Sequence, residues 1–270
     1  MNYPVIPYCI FPLGDAAITV DFGNCIDEML NREVIARFAQ LQQHPLPGMT
    51  EAVPAYSTIT VYYDVPALKK KIPPHQTAFE WMRQQLEERL RQPFQPVQIP
   101  ERLQKIPVCY EEEFAWDIQQ LATAKNISVH EVIQIHSGRQ YRVYMLGFMP
   151  GFTYMGEVDE KITMPRKPQP VKIAAGSVGI AGKQTGIYPF ASPGGWQIIG
   201  RTPVQLFKAI STPVGGEASE GSGNSETFNN GPALLRAGDT VKFYPISKND
   251  FYEIQNSPSL FMKRGLGDDV

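Results

Sequence analysis

The chain has 270 residues, of which 43% are hydrophobic and 19% are charged. This length exceeds what one compact core usually holds, and the apolar content is high enough to fold most of the chain, so we expect two globular domains. The formal net charge of −2, with no basic run longer than Lys69–Lys71, excludes the dense positive field of a nucleic-acid-binding protein.

The first part of the chain alternates strand and helix patterns. The segment AITVDFG alternates apolar and polar residues as a strand does, and apolar residues spaced by three and four from Ile26 to Leu41 predict a helix. Two β-branched and aromatic runs around Ser57 predict a strand pair, and Thr77 with Glu80 forms a capping box that opens a second helix. We therefore expect an α+β N-terminal domain over residues 1–98.

The second part of the chain predicts mainly strands. The proline-rich segment RQPFQPVQIPERLQK cannot continue a helix and marks the boundary, so the second domain covers residues 104–270. Ser128 and Glu131 form a capping box that opens a helix ending near Gly138. The strand YRVYMLGF and about 60 residues rich in Gly and Pro follow, which favours a β-barrel of short strands. Residues 211–231 are polar and Gly-rich, which predicts a flexible insertion.

The sequence does not have the patterns that predict a membrane anchor, a disulfide framework or a metal site. No stretch approaches the roughly 20 apolar residues that cross a bilayer, and MNYPVIPYCIFPLGD does not read as a secretory leader, so we expect a cytoplasmic protein with no membrane partner. The three cysteines are widely separated, and the only close histidine pair is His130 with His136. We therefore expect no metal site.

The stretch GSVGIAGKQTGIYP, residues 176–189, is close to a phosphate-binding loop but fails its requirements. A P-loop needs Ser or Thr after the lysine and a helix downstream, whereas Gln184 follows Lys183 and the next residues are extended. Its glycines 179, 182 and 186 indicate turns or close backbone approaches. Two interpretations remain: the corners of a small barrel, or the wall of a ligand site.

Aromatic and polar residues near this stretch favour the ligand site. The aromatic ones are Phe148, Phe152, Tyr154, Tyr188, Phe190 and Trp196, and the polar ones are Arg166, Lys167, Gln184, Thr185 and Arg201. An apolar floor with a few donors is typical of a pocket for a small anionic ligand. The substrate-binding candidates are Phe152, Tyr154, Arg166, Lys167, Thr185, Tyr188 and Trp196.

Three residues are candidates for catalytic roles. Arg201 follows a glycine at a predicted strand end and is the strongest anion-binding candidate, and Gln184 offers an uncharged donor. His136 lies in the last turn of its helix, where either acid-base chemistry or a protonated cap on the helix dipole fits the sequence.

Three segments resemble the family of the 5-oxoprolinase B subunit, also described as allophanate hydrolase subunit 1 or kinase-inhibitor-like proteins. They are YRVYMLGFMPGFTYMG, MPRKPQPVKIAAGSVGIAGKQTGIYPFASPGGWQIIGRTP and PALLRAGDTVKFYPI, which occur in order within residues 104–246. The resemblance implies a cyclophilin-like barrel after a smaller α+β domain. It also implies that the protein acts with the C and A subunits of 5-oxoprolinase to open 5-oxoproline to L-glutamate at the expense of ATP, with Mg accompanying the ATP.

This resemblance leads to a mechanistic hypothesis. ATP phosphorylates the lactam carbonyl oxygen so that water opens the ring, and Arg166, Lys167 and Arg201 counter the phosphate charge. Because the chain has no nucleotide-binding loop, we expect it to be inactive alone and to share the ATP site with the C subunit. Two alternatives stay open, a histidine-kinase-binding inhibitor and a carboxyltransferase-type subunit like that of urea carboxylase.

Overall fold

The computed structural model describes residues 7–91, 102–208 and 231–258. Its contact pattern divides the chain into two compact units, Met1–Pro100 and Glu101–Val270. Most of the proline-rich boundary segment, and the predicted insertion except Gly231, lie outside the described residues. Within the described ranges, no helix is both long and apolar enough to cross a membrane.

Among its described residues, the first unit combines a four-stranded antiparallel sheet with three helices. The strands are β1 (Cys9–Pro12), β2 (Ala17–Asp21), β3 (Met49–Pro54) and β4 (Thr58–Tyr63), in the order β1-β2-β4-β3; the helices are α1 (Glu28–Gln43), α2 (Val65–Lys69) and α3 (Ala78–Arg91). The capping box of α3 is confirmed, since the Thr77 amide and the Glu80 amide each bond the other residue's side chain, at 2.8 and 3.1 Å. Helix α1 begins later than the stripe predicts, because the Asp27 side chain caps it and leaves Ile26 exposed.

The core of the first unit lies between the sheet and two helices. Ile18, Val20 and Phe22 in and after β2, and Ile59, Val61 and Tyr63 in β4, point to this core at alternate positions, although Ala17 and Thr19 on the other face of β2 are buried as well. They pack with residues of α1 and α3, which include Leu30, Val34, Leu41, Met82 and Leu86. Burial of these side chains supplies the main stabilisation of the unit.

Asn31 is a fully buried polar residue that ties α1 to the β3–β4 connection. Its Nδ2 atom donates to the carbonyl oxygens of Ala55 and Tyr56, each at 3.1 Å. We expect Asn31→Ala to lower the free energy of unfolding by about 2 kcal/mol, because two half-buried carbonyl groups lose the donor that they share and a fully buried side chain is truncated. Urea unfolding measures the change. Met29→Ala is the control, since Met29 lies on the same helix and is 75% exposed; equal midpoints for the two variants would contradict the prediction.

The second unit contains nine strands and three α-helices among the described residues. The strands are β5 (Leu103–Val108), β6 (Gln140–Leu146), β7 (Thr153–Gly156), β8 (Val171–Ile173), β9 (Ser177–Ala181), β10 (Gln184–Ile187), β11 (Ser192–Gly194), β12 (Gln197–Arg201) and β13 (Thr240–Pro245); the helices are α4 (Ile118–Lys125), α5 (Val129–Gly138) and α6 (Lys248–Asn256). The Ser128–Glu131 capping box at the start of α5 is confirmed.

Seven of these strands form one curled sheet. Their order is β12-β9-β10-β7-β6-β13-β5, and β8 with β11 forms a separate pair. All neighbours are antiparallel except β13 and β5. Cys109, just after β5, exchanges main-chain hydrogen bonds of 2.8 and 2.9 Å with Arg201 at the end of β12, so the two edges of the sheet meet there. The chain therefore has a mixed fold of helices and sheets, as the sequence predicts.

The core of the second unit lies on one face of this sheet. Apolar side chains of β5, β6, β9, β10 and β13 are joined there by residues of α4 and α5, and the fully buried members include Ile106, Val108, Leu121, Val132, Tyr141, Val178, Ile180, Ile187 and Phe243. Since neighbouring residues of a strand point to opposite faces, the residues between these core positions are presented on the other side of the sheet.

Candidate functional site

The second unit carries a cavity of about 560 Å³ on the side of β10 that faces away from this core. The residues that line it come from β7, β9, β10, β11 and the connections between strands: Phe148, Phe152, Tyr154, Pro165, Arg166, Pro170, Ala181, Gly182, Gln184, Tyr188, Pro193, Gly194 and Trp196. A cavity of this size with mixed apolar and polar lining is typical of small-molecule sites.

The glycine-rich stretch forms a hairpin that supports this cavity. Strands β9 and β10 are joined through Gly182, whose φ of +58° is the one positive value in the hairpin, and Gly179 pairs with Gly186 across it. A methyl group on Gly179 would lie 3.0 Å from Cβ of Trp196, and one on Gly186 would lie 3.0 Å from the Trp196 ring. The prediction of turns is therefore wrong for Gly179 and Gly186, while that of close approach is right, because both glycines make room for Trp196.

Aromatic rings form a fixed wall around the cavity. The Phe152 ring centroid lies 4.9 Å from that of Tyr154, 5.0 Å from Tyr188 and 5.4 Å from Trp196, all in edge-to-face geometry. Phe148 contacts Phe152 at 5.6 Å and is 63% exposed. Because Phe152 is buried and touches four rings, the wall is held in place by its own packing.

The polar groups of the cavity are one guanidinium, two phenols and an amide. Among the described residues that line it, Arg166 carries the only formal charge. Burial raises the pKa of Tyr188 to about 12, although a main-chain hydrogen bond from Trp196 and the charge of Arg166 oppose the rise. Burial also raises the pKa of Tyr154. Both phenols therefore stay protonated at neutral pH, and they line the cavity together with Gln184, whose side chain is an amide.

The structure brings six of the ten predicted site residues together at the cavity: Phe152, Tyr154, Arg166, Gln184, Tyr188 and Trp196. The other four, His136, Lys167, Thr185 and Arg201, are not among its lining residues. Each of these four makes contacts elsewhere in the second unit, which indicate a different role from the one that the sequence favours.

Thr185 and His136 belong to the interior of the sheet. Thr185 follows Gln184 on β10 and so points to the opposite face, where its hydroxyl donates to the Gly179 carbonyl at 3.1 Å. It must then accept from Nε2 of His136 at 3.0 Å, which leaves Nδ1 to accept from the Tyr110 hydroxyl at 2.8 Å. Tyr110, His136, Thr185 and Gly179 thus form one directed hydrogen-bonded chain through the core.

His136 is neutral in this environment. The side chain is fully buried and its ring stacks on Phe243 at 4.7 Å, and burial lowers the pKa of His136 from 6.5 to about 3. A protonated cap on the helix dipole is therefore wrong, because the desolvation of an imidazolium outweighs a dipole interaction of about 1 kcal/mol.

The buried neutral imidazole makes stability depend on pH. Its folded pKa lies below its ordinary value of 6.5, so unfolding takes up a proton, and the stability present above pH 6.5 is lost as the pH falls towards 3. Between pH 7 and pH 5 we expect the wild-type chain to lose about 2 kcal/mol more than a His136→Gln variant, which cannot titrate. Urea unfolding at both pH values measures this difference, and parallel losses in the two proteins would contradict it.

Arg201 and Lys167 are held by other parts of the second unit. Nε of Arg201 donates to the carbonyl oxygen of Ala175 at 2.7 Å, and its guanidinium carbon lies 5.7 Å from the centre of the Phe251 ring. Nζ of Lys167 lies 2.5 Å from Oδ2 of Asp117. Asp117 is not among the residues that the sequence singles out. Its position just before α4 is typical of a helix cap, but no local pattern indicates its ion pair with Lys167, which lies 50 residues further along the chain.

Metal-binding side chains are scattered over the described ranges. In the part of the chain that the structure describes, no three His, Cys, Asp or Glu side chains are grouped closely enough to hold an ion.

Comparison with known proteins identifies relatives of this chain. Residues 8–214 match the family described as carboxyltransferase domain, subdomain C and D. The B subunit of 5-oxoprolinase from Bacillus subtilis is 41% identical over 249 residues, which make up 92% of this chain and 96% of the relative. The B subunit of 5-oxoprolinase from Escherichia coli O157:H7 is 33% identical over 86% of this chain and 94% of the relative.

Two solved structures show how widely the fold is shared. The crystal structure of TTHA0988 superimposes with a TM-score of 0.65 at 31% identity over 86% of this chain, and this chain spans 40% of that longer one. The urea carboxylase of Kluyveromyces lactis gives a TM-score of 0.67 at 18% identity over 92% of this chain and 22% of its own, which bears on the fold alone.

Proposed function

This chain belongs to the family of the 5-oxoprolinase B subunit, within the carboxyltransferase subdomain C and D proteins, and we propose that its cavity binds the lactam substrate of an ATP-dependent 5-oxoprolinase. The observation that carries the proposal is the cavity itself, in which aromatic rings surround a single guanidinium and several neutral donors. 5-Oxo-L-proline has a flat five-membered ring, one lactam amide and one carboxylate, and each of these groups has a complement there.

The complementarity assigns a partner to each part of the substrate. Arg166 meets the carboxylate, because a guanidinium binds a carboxylate with paired hydrogen bonds. Gln184 meets the lactam amide, since its side chain both donates and accepts. The faces of the lactam ring lie against Phe152 and Trp196. This set favours a small monoanion over a polyphosphate, whose several charges would face one cation.

Charge and chemistry both favour a shared active site. The described lining residues include no carboxylate, imidazole or thiol, so this cavity offers no evident group to activate water. We therefore place the ATP polyphosphate, its Mg and the general base largely on a partner protein. The names of the relatives already imply a multi-subunit complex, and the specific partners that we propose are the C subunit of 5-oxoprolinase, next to the cavity, together with its A subunit. On this view the chain alone has no turnover.

The curled sheet supports the finer fold assignment. The meeting of its two edges at Cys109 and Arg201 is what a cyclophilin-like barrel requires, and we assign that fold to residues 104–270 as part of the proposal. The α+β domain of residues 1–98 then precedes this barrel in the sequence. A cyclophilin-like barrel does not by itself imply prolyl isomerase activity, because function depends on the residues of the site.

A reconstituted complex tests the proposed function. The chain is purified with the C and A subunits, and L-glutamate is measured after addition of 5-oxo-L-proline, ATP and Mg. We expect glutamate release from the complete mixture and none from the chain alone. A complete mixture in which all subunits assemble but no glutamate forms would refute the proposal.

One observation favours a second candidate. A histidine-kinase-binding inhibitor requires an exposed apolar patch, and the Phe148 ring at the cavity, which is 63% exposed, contributes one side chain to such a patch. Co-purification with a sensor kinase, without glutamate release, would favour this function. The carboxyltransferase alternative is supported by the description of the matched family and by the likeness of fold to urea carboxylase, and a dependence on biotin would reveal it.

A further inference from the structure

The segment of residues 165–167 is fastened to the chain around Trp196 on both sides of Arg166. The Pro165 carbonyl oxygen accepts from Nε2 of Gln197 at 2.9 Å, and the Lys167 amide donates to the Gly195 carbonyl oxygen at 2.7 Å. The Arg166 backbone is therefore held between two hydrogen bonds to the segment that also carries the Trp196 wall of the cavity.

The side chain of Lys167 adds a charged anchor to this arrangement. Its Nζ lies 2.5 Å from Oδ2 of Asp117, and the same oxygen accepts from the Ile198 amide at 2.6 Å. The Asp117 amide in turn donates to the Ile198 carbonyl oxygen at 2.9 Å. One carboxylate thus joins the segment of residues 165–167, the start of α4 and strand β12.

The ion pair between Lys167 and Asp117 is partly buried, so its attraction is stronger than that of a surface ion pair. The Lys167 and Asp117 side chains are 18% and 12% exposed, whereas the pair between Arg139 and Asp159 is 44% exposed on each side with a distance of 3.9 Å. Less water screens the attraction between partly buried charges, and the loss of one partner leaves the other charge uncompensated.

The guanidinium of Arg166 lies where this anchoring matters. A methyl group on Gly195 would lie 3.7 Å from Nε and 3.9 Å from Nη2 of Arg166. The guanidinium therefore lies beside Gly195, the residue whose carbonyl oxygen accepts from the Lys167 amide. Its charge also reaches the hydroxyl groups of Tyr154 and Tyr188, where it opposes the rise in their pKa. A long side chain loses conformational freedom when it binds a ligand, and a fixed backbone reduces that loss.

We propose that Lys167 is a positioning residue that, through its ion pair with Asp117, holds Arg166 in place to bind a ligand carboxylate. Lys167 thereby sets the preference of the cavity for carboxylate-bearing lactams over uncharged ones. The inference rests on the proposed function of the cavity, and it differs from the sequence prediction, in which Lys167 itself binds the substrate.

Two lactams that differ by one carboxylate test the proposal. The dissociation constants of 5-oxo-L-proline and of 2-pyrrolidinone, which has the same ring without the carboxylate, are measured by calorimetry on the complex with the partner subunits. We expect the wild type to prefer 5-oxo-L-proline by at least about tenfold, as one charge-assisted contact gives. Arg166→Gln removes this preference, and Lys167→Gln lowers it by about fivefold or more, with 2-pyrrolidinone binding unchanged.

Three further variants separate positioning from other roles. Lys167→Arg keeps a cation for Asp117 and is expected to retain the preference, and Lys161→Gln, which removes an exposed lysine, is expected to leave it unchanged. The double variant Arg166→Gln, Lys167→Gln is expected to match Arg166→Gln alone, because Lys167 acts only through Arg166. Circular dichroism and urea midpoints confirm that the variants are folded.

Several outcomes would overturn the proposal. Unchanged preference in folded Lys167→Gln refutes the positioning role, and a further loss in the double variant shows that Lys167 binds the ligand directly. If either occurs while the complex still releases glutamate, the positioning role fails and the proposed function stands. If the wild type binds both lactams equally, the carboxylate role of Arg166 fails and the positioning role with it; glutamate release then shows separately whether the chain works in a 5-oxoprolinase.

Discussion

Replacement of His136 by alanine is expected to lower the free energy of unfolding by about 4 kcal/mol. The imidazole is fully buried, stacks on Phe243 and lies 5.3 Å from the Tyr141 ring centre, so its removal leaves a cavity in a close-packed core. The Tyr110 hydroxyl also loses its acceptor at 2.8 Å, and an unsatisfied buried hydroxyl adds about 1 to 3 kcal/mol. Urea unfolding at pH 7 followed by circular dichroism measures the loss.

The same helix provides a matched control for this substitution. His130 lies in the first turn of α5 and is exposed, so His130→Ala is expected to change the free energy of unfolding by less than about 0.5 kcal/mol. His136→Gln is expected to fall between the two variants, because a side-chain amide keeps one donor and one acceptor. Equal stabilities of His130→Ala and His136→Ala would show that the chain of hydrogen bonds contributes nothing.

Local sequence patterns were sufficient for several helices and strands of both units. The capping boxes at Thr77 and Ser128 place helix starts correctly, because a cap depends on residues only three positions apart. The parallel pairing of β13 with β5 and the meeting of the sheet edges near Arg201 join residues about 90 or more positions apart. Patterns within one segment carry no information about such pairings.

The same distinction explains which site residues the sequence identified. Five aromatic residues that lie among glycines and prolines line the cavity, and that composition is visible in the sequence, although Phe152, Tyr188 and Trp196 are buried by packing against one another. Gln184 and Thr185 are both site candidates in the sequence, but only Gln184 lines the cavity, because adjacent strand residues face opposite sides and Thr185 bonds to Gly179. The distant partner of Lys167, Asp117, was not visible in any local pattern, and the buried position of His136 depends on packing against β10 and β13.

Replacement of Gly186 by alanine is expected to disturb both the hairpin and the cavity. A methyl group there would lie 2.6 Å from the carbonyl oxygen of Thr153, 3.0 Å from the Trp196 ring and 3.2 Å from the Phe152 ring. The first neighbour is backbone and cannot move alone, so the strand pair must shift and the ring must leave its place. Overpacking of this kind lowers the free energy of unfolding by about 1 to 3 kcal/mol.

The displaced Trp196 ring makes this substitution a test of the cavity as well as of stability. We expect Gly186→Ala to change the near-ultraviolet circular dichroism and to weaken binding of 5-oxo-L-proline by about tenfold or more, because a shift of the ring removes contact with the ligand face. Gly138→Ala is the control, since a methyl group at that helix end meets no atom within 4 Å. An unchanged spectrum would contradict the displacement of the ring. If folded Gly186→Ala had an altered near-ultraviolet spectrum but kept the wild-type affinity, Trp196 would not form the ligand-binding wall, and the glycine pair would serve only the packing of the ring against β9 and β10.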